Sequence, residues 1–116
     1  MTVDRRVSIV VLTHNRLHEL DRNLRRLLQL EPRPAIIVVD NASTDGSAEH
    51  VGRWFPSVEV VRCPRNIGAA ARNEGVRRVQ TPYVAFCDDD TWWADGALQR
   101  AAGMLHLDPR LAAVLH

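Results

Sequence analysis

Four short aliphatic runs, "VSIVVLT" (7–13), "AIIVVD" (35–40), "VEVVRC" (58–63) and "YVAFC" (83–87), set the limits on what this chain can fold into. The first two are apolar at almost every position instead of every second one. A strand has that pattern when both of its faces are buried, as in parallel sheets covered by helices. The segments between the runs have helical character. Leu17, Leu20, Leu24, Leu27 and Leu28 recur at helical spacing, and Pro32 and Pro34 end that stretch. "NASTDGS" is a turn-and-cap cluster that opens a helix running to about Phe55, closed by Pro56.

A loop "PRNIG" and a helix from about Gly68 to Val79 precede the fourth run, which Pro82 introduces. A last helix, roughly Ala94 to Leu107, places Leu98, Ala101, Ala102 and Leu105 on one face, and "RLAAVLH" starts another strand. This alternation predicts an α/β fold: a mostly parallel, Rossmann-like sheet with helices on both faces. In such a sheet all parallel strands end on one edge, and ligands bind there, near the point where the strand order reverses.

At 116 residues the expectation is one domain, residues 1–116, with one core. A net charge of +1 gives no electrostatic case for nucleic acid as a partner. All 15 basic residues are Arg, a side chain suited to bidentate phosphate contacts. Cys63 and Cys87 lack zinc-site spacing and are expected to be buried thiols. The apolar runs are too short to span a bilayer, and the N-terminus does not have the pattern of a signal peptide, so a cytoplasmic protein is expected, with membrane association through a partner or a missing segment as the alternative.

The four strand ends carry Thr13-His14-Asn15-Arg16, Asp40-Asn41, Pro64-Arg65-Asn66 and Asp88-Asp89-Asp90. Polar and charged groups thus gather at one edge of an otherwise aliphatic sheet. The run of aspartates contains no cation of its own. With a side-chain period near two, Asp88 and Asp90 point to one side and Asp89 to the other. Such a pair supplies hard oxygen ligands for Mg²⁺ or Mn²⁺, whose shell waters and phosphates complete. An acidic turn capping the next helix is the alternative; beside the other three loops the metal assignment is preferred, with Asp89 as a turn residue. Asp40 suits a base N–H or a ribose hydroxyl, or caps its own turn. Arg72, on the helix after "NIGAAA", can reach the same edge, and His14 suits stacking more than catalysis. Trp92 and Trp93 receive no role. Neither a dinucleotide fingerprint nor a P-loop is present.

Together "SIVVLTHNR", "IIVVDNASTDGS", "RNIGAAARNEG" and "VAFCDDDT" resemble, in order and spacing, the N-terminal half of family 2 glycosyltransferases of the GT-A fold. The resemblance covers essentially the whole chain. It implies that Thr13, His14, Asn15, Asp40, Arg72 and Asp88 hold the donor nucleotide, while Asp88 and Asp90 form the DxD motif that binds a divalent metal, Mn²⁺ or Mg²⁺. Leu12 and His14 stand where the family often has Pro and Tyr. The resemblance further implies transfer of a sugar from a UDP-, GDP- or dTDP-sugar, with inversion, to an acceptor whose chemistry it does not specify. The family's general base belongs to a C-terminal, acceptor-binding half that this chain is expected to lack, and neither Glu74 nor Asp95 takes its place.

Two other functions fit parts of the sequence. A non-catalytic nucleotide-binding or interaction module is consistent with the length. A nucleotidyltransferase ranks lower, because the loop after the first strand has no glycine, and a receiver domain lower still. The segment "LAAVLH" (111–116) would be an unprotected edge, and a homodimer through it is expected.

Overall fold

The computed structural model describes residues 3–90 and 97–107, except the side chains of Gln99 and of residues 105–107. In chain order its elements are β1 (Val3–Thr13), α1 (Leu17–Leu27), β2 (Arg33–Asn41), α2 (Ser47–Trp54), β3 (Glu59–Cys63), a 3₁₀ turn (Gly68–Ala71), α3 (Arg72–Val76), β4 (Tyr83–Asp88) and α4 (Ala97–Leu107). The strands form one sheet in the order β3-β2-β1-β4, and every pairing is parallel. The expected α/β architecture is therefore present. The edge segment 111–116 and the Trp pair lie outside the described residues.

Side-chain parity divides the sheet into two faces. Val7, Ile9 and Val11 of β1, Ile36 and Val38 of β2, and Ala85 and Cys87 of β4 pack on one side. They meet Leu20, Leu24 and Leu27 of α1, Val51 of α2, and Leu98 and Ala102 of α4. The intervening residues Val10, Ile37, Val39, Val61 and Cys63 pack on the other side with Ala71. Each leucine buried by α1 contributes about 1.5–3 kcal/mol, so this face supplies much of the driving force.

The two faces follow from connection handedness. β1 to β2 and β2 to β3 step in the same direction, so right-handed crossovers put α1 and α2 on one face. The chain must then return across β2 and β1 to lay down β4, and the 3₁₀ turn and α3 cover the opposite face. Strand order thus reverses between β1 and β4, whose carboxyl ends lie side by side, with Leu12 paired to Asp88.

Two boundaries differ from the sequence expectation. β1 begins at Val3, because "VDRR" continues the strand in spite of its polarity, across a register irregularity between Val3 and Ser8. The third helix is not continuous from Gly68 to Val79. Gly68 takes φ +64°, a left-handed conformation that glycine tolerates best, and the chain tightens into the 3₁₀ turn before a five-residue α3. Beyond Val76 it continues only as turn hydrogen bonds, such as Val79 N–H to the Val76 carbonyl.

Gly75 lets α3 sit directly on the sheet. A Cβ at this position would fall 2.6 Å from Val10 Cγ1 and 2.7 Å from Val39 Cγ2, inside van der Waals contact. Gly75→Ala is therefore expected to lower stability by about 1–3 kcal/mol, the usual range for overpacking. Urea denaturation at pH 7 checks this, and an unchanged midpoint would show that α3 yields freely.

Candidate functional site

The parity that builds the core continues to the strand ends and decides which way each polar residue points. Thr13 has the parity of Val11, so it faces the α1 side, and it is 2 % exposed. Asp89, one residue past β4, has the parity of Ala85 and Cys87 and faces the same side. The two meet: Thr13 Oγ1 donates to Asp89 Oδ2 at 3.0 Å. Asp88 has the opposite parity and faces α3, where Arg72 donates to its Oδ1 at 2.9 Å.

The three aspartates thus have different surroundings. Asp89 is buried between Thr13 and Arg16, whose Nε lies 3.2 Å from its Oδ1. Burial pushes the Asp89 carboxyl up from its ordinary range, against the pull of the Thr13 hydrogen bond and the Arg16 charge. Asp88 and Asp90 are open to solvent, and Asp90 Oδ2 receives a second Arg16 contact at 3.3 Å. Behind the turn Asn23, itself buried, donates from Nδ2 to the Asp88 carbonyl at 3.2 Å.

The run holds no cation, but the fold brings Arg16 and Arg72 to it from opposite faces of the sheet. Nor is Asp89 merely a turn residue, because it joins the ends of β1 and β4.

The neighbouring loops are joined in the same way. Asn15, at φ +52°, accepts the Thr44 N–H on its Oδ1 at 2.7 Å, and its own N–H reaches Ser43 Oγ at 2.9 Å. His14 donates from Nδ1 to the Asn41 carbonyl at 2.6 Å. Asn41 in turn donates to the Gly68 carbonyl and accepts the Ile67 N–H. Side chains of His14 and Asn15 are thus engaged in joining the loop after β1 to that after β2.

Asp40 is buried and accepts the Ser43 N–H on Oδ1 at 3.1 Å, so it does cap its turn. It also lines an open depression of about 640 Å³, with Ser43, Thr44, Arg62 and Cys63 among the other walls. Cys63 and Cys87 are both buried free thiols. Glu74 pairs with Arg77 at 3.4 Å on the exposed side of α3; Asp95 lies outside the described residues. Among the described residues no group of three or more His, Cys, Asp or Glu side chains is gathered as a ready-made metal site.

Arg16, Asn23 and Asp45 were not singled out as site residues from the sequence. Asn23 had a signal: it is polar, yet it stands on the leucine face, three residues after Leu20 and four before Leu27. Asp45 accepts the Leu17 N–H at the start of α1, as well as the N–H and hydroxyl of Ser47 at the start of α2.

An all-parallel sheet of this order, with helices on both faces and carboxylates at the carboxyl edge of the reversal point, is an α/β fold of the GT-A type. Glycosyl transferase family 2 matches residues 8–116, and the chain belongs to that family. It is 32% identical over 99 residues to TuaG of Bacillus subtilis, described as a glycosyltransferase of teichuronic acid biosynthesis, a match covering 81% of this chain and 39% of TuaG.

Among solved structures it is similar to a mannosyltransferase from Pyrobaculum calidifontis in complex with GDP-Man and Mn²⁺. The TM-score is 0.78 and the identity 29%, over 90% of this chain and 33% of the other. TarS of S. aureus, solved with UDP-GlcNAc, shares the fold at a TM-score of 0.76 and 23% identity, over 88% of this chain and 31% of that one. The chain therefore spans about two fifths of the length of the curated relative. Family membership sets aside the nucleotidyltransferase and receiver alternatives. Among the described residues no helix is long and apolar enough to cross a membrane.

Partial burial pushes the Asp45 carboxyl up, but the Ser47 hydroxyl and the Leu17 and Ser47 amides outweigh it and hold the group below the usual carboxylate range. A depressed pKa stabilises the fold above the unfolded value of about 3.9, and the contribution is lost as pH falls through the lower folded value. Asp45→Ala is expected to cost about 0.5–2 kcal/mol at pH 7, as helix-cap removal does. Urea titrations should show the gap between wild type and variant closing below about pH 4. A gap independent of pH would contradict the capping role.

Proposed function

We propose that this chain is the donor-binding part of an inverting glycosyltransferase, transferring a sugar from a nucleoside diphosphate to an acceptor. The observation that carries this reading is the division of labour among the three aspartates. Asp89 is buried and joins two strands, which leaves Asp88 and Asp90 as outward-facing carboxylates at the reversal point.

The donor set fits a divalent cation of the Mg²⁺ or Mn²⁺ kind, since both side chains offer hard, solvent-accessible oxygens. With no third acidic or His ligand gathered among the described residues, the remaining ligands would come from the donor diphosphate and water. The similar mannosyltransferase structure with GDP-Man and Mn²⁺ supports that choice. A cation held there would supply charge stabilisation for the leaving diphosphate.

Thr13, His14, Asn15 and Asp40 frame the nucleoside side of the site. Asp40, one oxygen engaged by Ser43, is among the residues that line the depression, and we assign it to the base or ribose. Arg72 is placed to exchange its contact with Asp88 for a phosphate oxygen. No residue of this chain is assigned the general-base role; that group and the acceptor pocket are ascribed to residues outside it.

Calorimetry with UDP and GDP, with and without Mn²⁺, tests this reading. Nucleoside diphosphate is expected to bind in the presence of Mn²⁺. Asp88→Ala and Asp90→Ala are each expected to weaken that binding by about tenfold or more, a loss of about 1.4 kcal/mol. Absence of binding by the folded chain, or full binding by both variants, would overturn it.

A further inference from the structure

Arg16 holds two carboxylates at once, and they differ in character. Its Nε pairs with Asp89 Oδ1 at 3.2 Å, where the Asp89 side chain is 8% exposed and anchored on its other oxygen by Thr13. Its terminal nitrogen reaches Asp90 Oδ2 at 3.3 Å, and both of those side chains are 46% exposed. Water screens the second contact far more than the first. The guanidinium is therefore tethered at its buried end and held weakly at its outer end.

The charge balance of the turn gives this asymmetry a consequence. Three adjacent carboxylates repel one another, and Arg16 and Arg72 offset that repulsion from opposite faces. A divalent cation arriving alone must compete with Arg16 for Asp90. A cation arriving with a diphosphate brings oxygens that can accept the released guanidinium, a group well matched to phosphate.

We propose that Arg16 is the resident counter-ion of the Asp88–Asp90 turn: tethered by Asp89, it occupies Asp90 until a divalent cation and a diphosphate arrive together, and so couples the binding of the two. This rests on the assignment of Asp88 and Asp90 as cation ligands. In this role Arg16 is a positioning residue, acting through Asp90, and Asp89 is its anchor. Coupling of this kind is reciprocal, so the factor by which nucleotide tightens the cation equals the factor by which the cation tightens nucleotide.

The test is a binding cycle on the whole chain. Free Mn²⁺ is followed by its electron paramagnetic resonance signal, with and without UDP or GDP, for wild type, Arg16→Gln and Arg16→Lys. Arg16→Gln is expected to bind Mn²⁺ alone about threefold to tenfold more tightly, as loss of a nearby positive charge dictates, and to show a nucleotide coupling factor reduced to a similar degree. Arg16→Lys keeps the charge but offers one nitrogen to two carboxylates, so it should fall between wild type and Arg16→Gln.

Removal of Arg16 leaves the buried Asp89 with its Thr13 hydrogen bond but without a counter-charge. If Arg16→Gln fails to fold by circular dichroism, the double variant Arg16→Gln, Asp89→Asn removes both charges together and should show the same direction of change. Unchanged or weaker binding of Mn²⁺ alone, with wild-type coupling, would overturn the proposal while the ligand assignment stands. If wild type itself binds neither Mn²⁺ nor nucleotide, the ligand assignment fails and the proposal with it.

Discussion

The hydrogen bond from Thr13 to Asp89 is the contact on which the rest of the site depends. It crosses from the end of β1 to the first residue after β4, where the strand order reverses. Two loops that leave a sheet in different directions diverge unless something joins them, and the divergence opens the crevice in which ligands bind. A buried carboxylate satisfied by a hydroxyl and a guanidinium holds that junction. Its cost is a desolvated charge, which the Thr13 and Arg16 contacts offset and an unpaired Asp89 would not.

Parity carries this junction outward from the core. The alternation that buries Ile9, Val11, Ala85 and Cys87 beneath α1 also turns Thr13 and Asp89 toward each other. By the same rule Val10 and Val39 face Gly75, and Asp88 faces Arg72 on α3. Loops between these strands are fixed by short polar side chains, with Asn15, Asn41 and Asp45 each bridging two segments. The edge is thereby ordered by hydrogen bonds instead of apolar contact, which leaves its surface polar for a ligand.

Much of this arrangement could be read from the residues in order. Aliphatic runs interrupted by helical spacing gave the parallel sheet, and period two separated Asp88 from Asp89; Asp90, past the end of β4, shares Arg16 with Asp89 instead of standing with Asp88. What escaped was what the fold brings from afar. Arg16 is 74 residues from Asp90, so no local pattern announces that pairing; Arg72 was expected at this edge, but its contact with Asp88, 16 residues away, was not. Asn23 is one polar residue on a leucine helix, and its place on the buried face is a usable clue. The third helix was overextended because no local pattern shows that the left-handed Gly68 leads into a 3₁₀ turn, or that the chain continues past Val76 only as turns.

The central claim is that a cation and a nucleoside diphosphate meet at the carboxyl edge between β1 and β4. Paramagnetic broadening of backbone amide signals by Mn²⁺, recorded in the presence of UDP or GDP, tests it most directly. Amides around Thr13, Asp40 and Asp88–Asp90 are expected to lose intensity first, while those at the opposite edge, near Arg33 and Thr81, keep theirs. Loss of signal centred on the opposite edge, or no selective loss at all, would contradict the account.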